Sequence, residues 1–259
     1  MSPLHLSNFQ TQEFNNLPGK QSSAWGMLAS LCQRALPQSC AFCTAPCRNR
    51  LVCAACQSGL PRIAGACPVC ALPAPGGAIC GACVVRPPPF TAAFAAFAYE
   101  YPLDRLLHAF KYGGHLAHAD YFAEALSAAV SLRPPEMRWP DALVALPLAP
   151  SRQRARGFDQ AAEIARRVAR RTGVPMTTGL RRTRDTPAQA ALPWKDRAKN
   201  VRGAFAADPS LAGMRVAIVD DVMTTGATLG SAADAVLRSG AVAVEAWAVA
   251  RTLPPTPRP

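Results

Sequence analysis

The chain has 259 residues, 50% of them hydrophobic, with a formal net charge of +12 and an isoelectric point near 9.7. That length accommodates one full α/β domain and a small accessory module. No apolar run approaches the ~18 residues that span a bilayer, and the first 20 residues lack the apolar core and cleavage site of a signal peptide. The expectation is a cytoplasmic protein whose thiols stay reduced. Arginine dominates the positive charge, which favours anionic partners, either phosphorylated small molecules or nucleic acid. A solvated basic surface would give the same excess.

In chain order, residues 1–39 read as a loose tail with a short helix at Ser22–Leu36, where Trp25, Leu28, Leu31 and Cys32 share a face. Residues 40–86 are rich in Cys, Pro, Gly and Ala and have no sustained period. Arg86-Pro87-Pro88-Pro89 reads as a stiff connector. From 90 to 253 short apolar runs alternate with helical patterns. Strands are predicted at Ala92–Tyr99, Ala142–Leu146, Val216–Val219 and Val242–Ala250. Helices are predicted at Leu103–Tyr112, Tyr121–Leu132, Gln160–Thr172 and Ala227–Ser239. This alternation implies right-handed crossovers and an α/β fold, a parallel sheet flanked by helices. Pro254–Pro259 reads as a second loose tail.

The ten cysteines point to metal rather than disulfides in a reducing compartment. Cys40, Cys43, Cys53 and Cys56 recur 27 positions later as Cys67, Cys70, Cys80 and Cys83, and Pro46 and Pro61 recur as Pro73 and Pro88. Each unit reads C-x2-C-x9-C-x2-C, which can set four thiolates around a tetrahedral Zn²⁺, and a unit with so little core needs such an ion to fold. Duplication of the whole unit favours two successive zinc ribbons with one ion each. An interleaved pairing does not account for the equal spacing. Cys32 and Cys47 fall outside the repeat and read as spare thiols.

The strongest chemical signal is the stretch Val216 to Thr228. A buried strand ends in Asp220 and Asp221. Val222 and Met223 lead into a turn of Thr224, Thr225 and Gly226, and a helix opens at about Ala227 and Thr228. The N–H groups of such a turn and helix start cradle an anion, and the threonine hydroxyls add donors. The two carboxylates cannot serve a phosphate; they suit neutral hydroxyls or a divalent cation. A ribose 5-phosphate presents both ends. An ordinary helix N-cap is the plain alternative, but capping requires only one such residue.

This stretch resembles the fingerprint of the type I phosphoribosyltransferases, a hydrophobic strand, two acids and a Thr-Thr-Gly turn. The resemblance implies that Asp220 and Asp221 hold the ribose hydroxyls of phosphoribosyl pyrophosphate, while Val222 to Thr228 form the 5-phosphate loop. Two basic segments come before it. Leu146 to Gln160 places Arg152, Arg154 and Arg156 near the carboxyl end of a strand, where open α/β sheets bind ligands. In the type I enzymes the corresponding loop grips pyrophosphate, and Arg156 beside Gly157 is the best candidate. Arg181 to Phe205 is basic and aperiodic, and it resembles the mobile loop that closes over pyrophosphate in that fold.

The order of the motifs resembles the ComF family from about Cys40 to Thr252. They are the paired cysteine knuckles, Leu107-His-Ala-Phe-Lys-Tyr-Gly113, Arg156-Gly-Phe-Asp-Gln160, Gln189, Arg197-Ala-Lys-Asn-Val201 and the Asp220–Gly226 loop. Asp159 stands where that family more often has Asn. The resemblance implies a type I phosphoribosyltransferase fold over 90–253 behind a double zinc ribbon at 40–86. It implies Mg²⁺ and phosphoribosyl pyrophosphate as ligands and transfer of the ribosyl group to an unnamed acceptor. Arg156, Lys195 and Arg197 would neutralise the pyrophosphate. The family's link to natural competence implies single-stranded DNA and the DNA-uptake machinery as further partners. A non-catalytic DNA-binding accessory protein and a phosphoribosyl-pyrophosphate-sensing regulator are the other readings. Lys111 fits a site role and a solvated surface equally well, and His108, His115 and His118 read as surface histidines.

Overall fold

A computed structural model describes residues 39–47, 50–113, 116–185 and 201–254. Its strands are β1 (Ala92–Ala98), β2 (Ala142–Ala145), β3 (Met176–Thr177), β4 (Leu180–Arg182), β5 (Phe205–Ala207), β6 (Arg215–Met223) and β7 (Ala243–Arg251). Its α-helices are α1 (Ala54–Ser58), α2 (Gly81–Val85), α3 (Leu103–Tyr112), α4 (Ala117–Ser131), α5 (Pro150–Arg156), α6 (Gln160–Thr172) and α7 (Ala227–Arg238). Five strands form a parallel sheet in the order β1-β7-β6-β2-β3, and β4 pairs antiparallel with β5. Helices cover both faces, which is the general requirement of a parallel sheet.

Side-chain alternation along the central strands divides the core into two layers. Ala217 and Val219 of β6 and Trp247 and Val249 of β7 pack with Leu107, Phe110, Phe122, Leu126, Ile164 and Val168 of α3, α4 and α6. Val216 and Ile218, with Val244 and Ala246, face Leu229, Ala232, Ala233 and Val236 of α7. Both ends of α6 are defined by sequence chemistry. Asp159 Oδ1 accepts from the Ala162 N–H at 3.0 Å, and Gly173 ends the helix at φ 76°.

All nine residues of β7 are buried, including Glu245. The carboxylate accepts from Arg133 at 2.6 Å and from the Trp247 indole at 2.8 Å, and the Arg133 guanidinium lies 4.4 Å from the Trp139 ring centroid. A charge inside an apolar strand is therefore neutralised, hydrogen-bonded and capped by aromatic faces.

The sheet's β1 edge is covered by the cysteine-rich segment. The N–H groups of Ala93 and Ala98 donate to the carbonyls of Pro68 and Pro61 at 3.0 and 2.9 Å. Arg62 lies 4.4 Å over the Phe97 ring and donates to the Ala96 carbonyl at 3.3 Å, and Tyr121 donates to Gln57.

Several sequence expectations need correction. β6 does not stop at Val219; its pairing with β7 continues through Asp220 opposite Ala248 to Met223 opposite Arg251, so the two acids lie within a strand. Helix α4 begins at Ala117, and it buries His118, whose ring meets Phe122 edge-on at 6.5 Å; it is not a surface histidine. The ends of the basic segment are not aperiodic loop but the ribbon of β4 and β5. β3, β4 and β5 are two or three residues long, too short to impose a period on the sequence. Helix α5 has no apolar stripe, and its only signal was Pro150 at the first turn. The helix expected at Ser22–Leu36, Cys32, His115 and both terminal tails up to 38 and from 255 lie outside the described residues.

Glu245→Ala leaves the Arg133 guanidinium buried without a counter-charge, and should lower the unfolding free energy in urea by about 3 kcal/mol. The double change Arg133→Met with Glu245→Leu should cost less than this single one.

Candidate functional site

Asp220 and Asp221 sit at the carboxyl end of β6, the edge where open α/β sheets bind ligands. Successive strand residues point to opposite faces, yet Asp220 Oδ1 accepts the Asp221 N–H at 2.8 Å, which turns its carboxylate back along the strand end. Asp221 Oδ2 accepts an ion-pair contact from Lys111 Nζ at 3.1 Å, with both side chains largely buried. Lys111 belongs to the last turn of α3, which Leu103, Leu106, Leu107 and Phe110 anchor in the core. Its ammonium is therefore a built part of the site and not a solvated surface charge.

Burial pushes the Asp220 carboxyl up to about 8, with the neighbouring Asp221 charge as the next cause. Burial works against the Lys111 charge as well, but Asp221 and Asp220 outweigh it and hold its pKa above the ordinary lysine value. Asp221 has Lys111 as its counter-ion and burial disfavours charge on Asp220, so the centre carries less negative charge than two free carboxylates would. Such a centre suits the hydroxyl groups of a sugar, with Asp220 able to donate as well as accept. Carboxylate oxygens are also the right donors for Mg²⁺, although Lys111 and the proton on Asp220 compete for them.

Past the acids, Val222 and Met223 end β6, Thr224, Thr225 and Gly226 make the turn, and Ala227 and Thr228 open α7. Gly226 has φ 80°, and a Cβ placed there would come within 2.9 Å of Met223 Cε. Thr225 Oγ1 accepts the Ala227 N–H at 3.1 Å. Met223 is buried and packs beneath the turn, away from its half-exposed threonines. The first N–H groups of a helix have no intrahelical acceptor, and this turn presents those of α7.

Arginines stand beside the acids. Arg156 ends α5, where Gly157 turns the chain at φ 76°. Its guanidinium donates to Gln160 Oε1 at 2.8 Å and to Tyr112 Oη at 3.5 Å, and lies 5.2 Å from the Tyr112 ring centroid. Gln160 is fully buried, so Arg156 is oriented from behind. Burial lowers the pKa of Arg152, followed by the like charge of Arg156, while Asp185 and Asp220 oppose the shift. Burial likewise lowers that of Arg182 on β4, followed by the like charge of Arg152. Arg156 thus reaches Tyr112, the residue after Lys111, while Arg152 and Arg182 lie within electrostatic reach of Asp220. The sequence drew attention to Arg156 but missed how Gln160 and Tyr112 orient it. Lys195 and Arg197 lie outside the described residues.

The cysteines form two clusters of four thiols, Cys40, Cys43, Cys53 and Cys56, and Cys67, Cys70, Cys80 and Cys83, each with all sulfurs within 4.8 Å of one another. The duplication is structural in detail. Cys53 N–H donates to Cys40 Sγ and Cys80 N–H to Cys67 Sγ, both at 3.3 Å. Cys43 and Cys53 sulfurs lie 3.7 Å apart, and those of Cys70 and Cys80 3.6 Å. These separations match the ~3.8 Å edge of a tetrahedron with ~2.3 Å Zn–S bonds and far exceed a ~2.05 Å disulfide. Pairing is sequential and consistent with two zinc ribbons. Burial raises the Cys40 thiol, but N–H groups of Cys53, Cys43 and Phe42 outweigh it and bring it to about 6. Cys47 is buried in the main core and belongs to neither cluster.

A cleft of about 700 Å³ lies behind the turn rather than over the acids, lined by Pro88, Arg202, Gly226, Ser231 and Arg251. Arg251 escaped sequence reasoning altogether; its signal was a lone charge at the end of the apolar run of β7.

A family model described as the phosphoribosyl transferase domain matches residues 155–255. The chain is therefore a phosphoribosyltransferase-domain protein that carries two four-cysteine clusters. A DNA utilization protein YhgH of Salmonella typhimurium is 31% identical over 234 residues, covering 89% of this chain and 92% of that one. Competence protein F of Haemophilus influenzae is 31% identical over 156 residues, 58% of this chain and 68% of its own length. This chain belongs to the ComF/YhgH family. A solved B. subtilis glutamine phosphoribosylpyrophosphate (PRPP) amidotransferase is similar over 49% of this chain and 25% of its own, at 22% identity and a TM-score of 0.34. Among the described residues no helix is long and apolar enough to cross a membrane.

A carboxyl raised to about 8 keeps its proton in the folded chain and loses it in the unfolded one between about pH 4 and 8. Folding therefore becomes less favourable as pH rises through that window. Asp220→Asn removes the effect, so its gain in unfolding free energy should be larger at pH 8 than at pH 5 by about 3–4 kcal/mol in urea titrations.

Proposed function

We propose that this chain binds phosphoribosyl pyrophosphate at the end of β6 and acts as a phosphoribosyltransferase in DNA uptake or nucleotide metabolism. The observation that carries the reading is the ordered set of Lys111-neutralised acids, Thr-Thr-Gly turn and arginine cluster along one sheet edge. Asp220 and Asp221 take the ribose hydroxyls. The turn Thr224–Gly226 and the start of α7 take the 5-phosphate, and Val222 and Met223 hold that turn in place. Arg156, with Arg152 and Arg182, faces the pyrophosphate, and Lys195 and Arg197 belong to the segment assigned to close over it. Mg²⁺, bound with the pyrophosphate, supplies further neutralisation of the leaving group. As the bond from C1 to the pyrophosphate oxygen breaks, positive charge develops on the ring and negative charge on the leaving group. Fixed cations on one side and carboxylate oxygens on the other stabilise that separation. The acceptor supplies the nucleophile, since among the described residues no side chain of the site is placed as its dedicated base. The four-thiol clusters are taken to hold one structural Zn²⁺ each. The family names of the relatives, DNA utilization and competence, support placing the reaction in DNA uptake.

Calorimetric titration with phosphoribosyl pyrophosphate and Mg²⁺ should show one site per chain. The double change Asp220→Ala with Asp221→Ala should weaken it at least about 100-fold; unchanged affinity removes the reading. Pyrophosphate release with a panel of bases separates a transferase from a sensor, and salt-dependent binding to single-stranded DNA tests the accessory reading. Elemental analysis of protein purified under reducing conditions should give two zinc ions per chain, and loss of zinc should lower thermal stability sharply. Zinc-free, fully folded protein would rule the structural ions out.

A further inference from the structure

Arg251 is 3% exposed and closes the last central strand. Its Nε donates to the Cys70 carbonyl at 2.9 Å, inside the knuckle of the second cluster. Its Nη1 donates to the carbonyl of Met223 at 3.0 Å, to that of Thr224, and to that of Thr252 at 3.0 Å. One planar fork thus spans two elements that no strand or helix joins, the second four-cysteine knuckle and the backbone that enters the Thr224–Gly226 turn. A guanidinium presents donors in fixed directions, so its acceptors are held relative to one another.

The counter-charge points the same way. Among the described residues no carboxylate lies within ion-pair distance of Arg251. A zinc ion held by the four thiolates would give the second cluster a net negative charge near this buried cation, and loss of the ion would remove the shape of the knuckle whose carbonyl Arg251 holds. Among the described residues the first cluster shows no such link; Cys40 and Cys47 pack with the α4 side of the core.

We infer that Arg251 is a positioning residue through which the second cysteine cluster sets the conformation of the Thr224–Gly226 turn, so that anion binding at the turn depends on metal in that cluster. The effect on phosphoribosyl pyrophosphate rests on the reading proposed above; the tie between cluster and turn does not.

Hydrogen–deuterium exchange of the full chain separates the two. Arg251→Met should raise exchange in a peptide covering residues 222–229 about tenfold and leave residues 142–145 unchanged, with both zinc ions retained. Cys80→Ser with Cys83→Ser should raise the same peptide to a similar degree, and adding Arg251→Met should add little, because both act through one connection. Arg251→Lys keeps the charge but not the fork and serves if the Met variant does not fold. Phosphoribosyl pyrophosphate affinity should fall about tenfold in Arg251→Met. If turn exchange is unchanged in both the arginine and the cysteine variants, the tie is wrong even where the ligand binds. Wild-type protein that binds no ligand but shows the linked exchange leaves the tie standing and removes the site reading.

Discussion

Two carboxylates side by side at the end of a buried strand repel each other and lose hydration, and their neighbours have to make up both deficits. Lys111 does so for Asp221, and a proton does so for Asp220. Each solution constrains a different part of the molecule. Lys111 reaches its partner because α3 is docked through Leu106, Leu107 and Phe110. Asp220 is desolvated because β6 keeps pairing with β7 past the acids, so the strand end stays inside the protein. Besides Lys111, the arginines of the site come from α5 and β4. A ligand meeting this edge finds a partly neutralised centre with cations on one side and a helix start on the other.

The two cysteine units repeat almost atom for atom but occupy different surroundings. The first is embedded in the main hydrophobic layer, beside Phe97 and Tyr121. The second forms its own small cluster and touches the domain through β1 and Arg251. The same four-thiol arrangement therefore packs into the main core in one place and contacts the backbone through Arg251 in the other.

What could be read from the sequence was what repeats or has a period. The cysteine spacing matched both clusters, and helix α6 falls on the predicted residues because a capping Asp159 and a terminal Gly173 bracket its apolar stripe. The mostly apolar run of β7, broken only by Glu245 before its terminal Arg251, marked a central strand. The parts that escaped depend on tertiary contacts. Nothing local marks Tyr112 as a partner of Arg156, or Arg251 as a bridge to Cys70. The pairing that extends β6 through Asp220 is supplied by β7, so a strand expected to end at its first charge runs four residues further. The ribbon of β4 and β5 joins residues more than twenty positions apart, beyond any local pattern.

The hydrogen bonds from Ala93 and Ala98 to Pro68 and Pro61 have a consequence for solubility. The opposite edge of the sheet, β3, is two residues long and offers little to pair with. β1 is seven residues of alanine and phenylalanine without a charge, the composition that templates intermolecular strand pairing when uncovered. The cysteine-rich segment is its cover. On the proposed reading of the clusters as structural zinc sites, loss of the metal would uncover this adhesive edge, and scarcity of zinc would remove the chain from solution before any question of its chemistry arises.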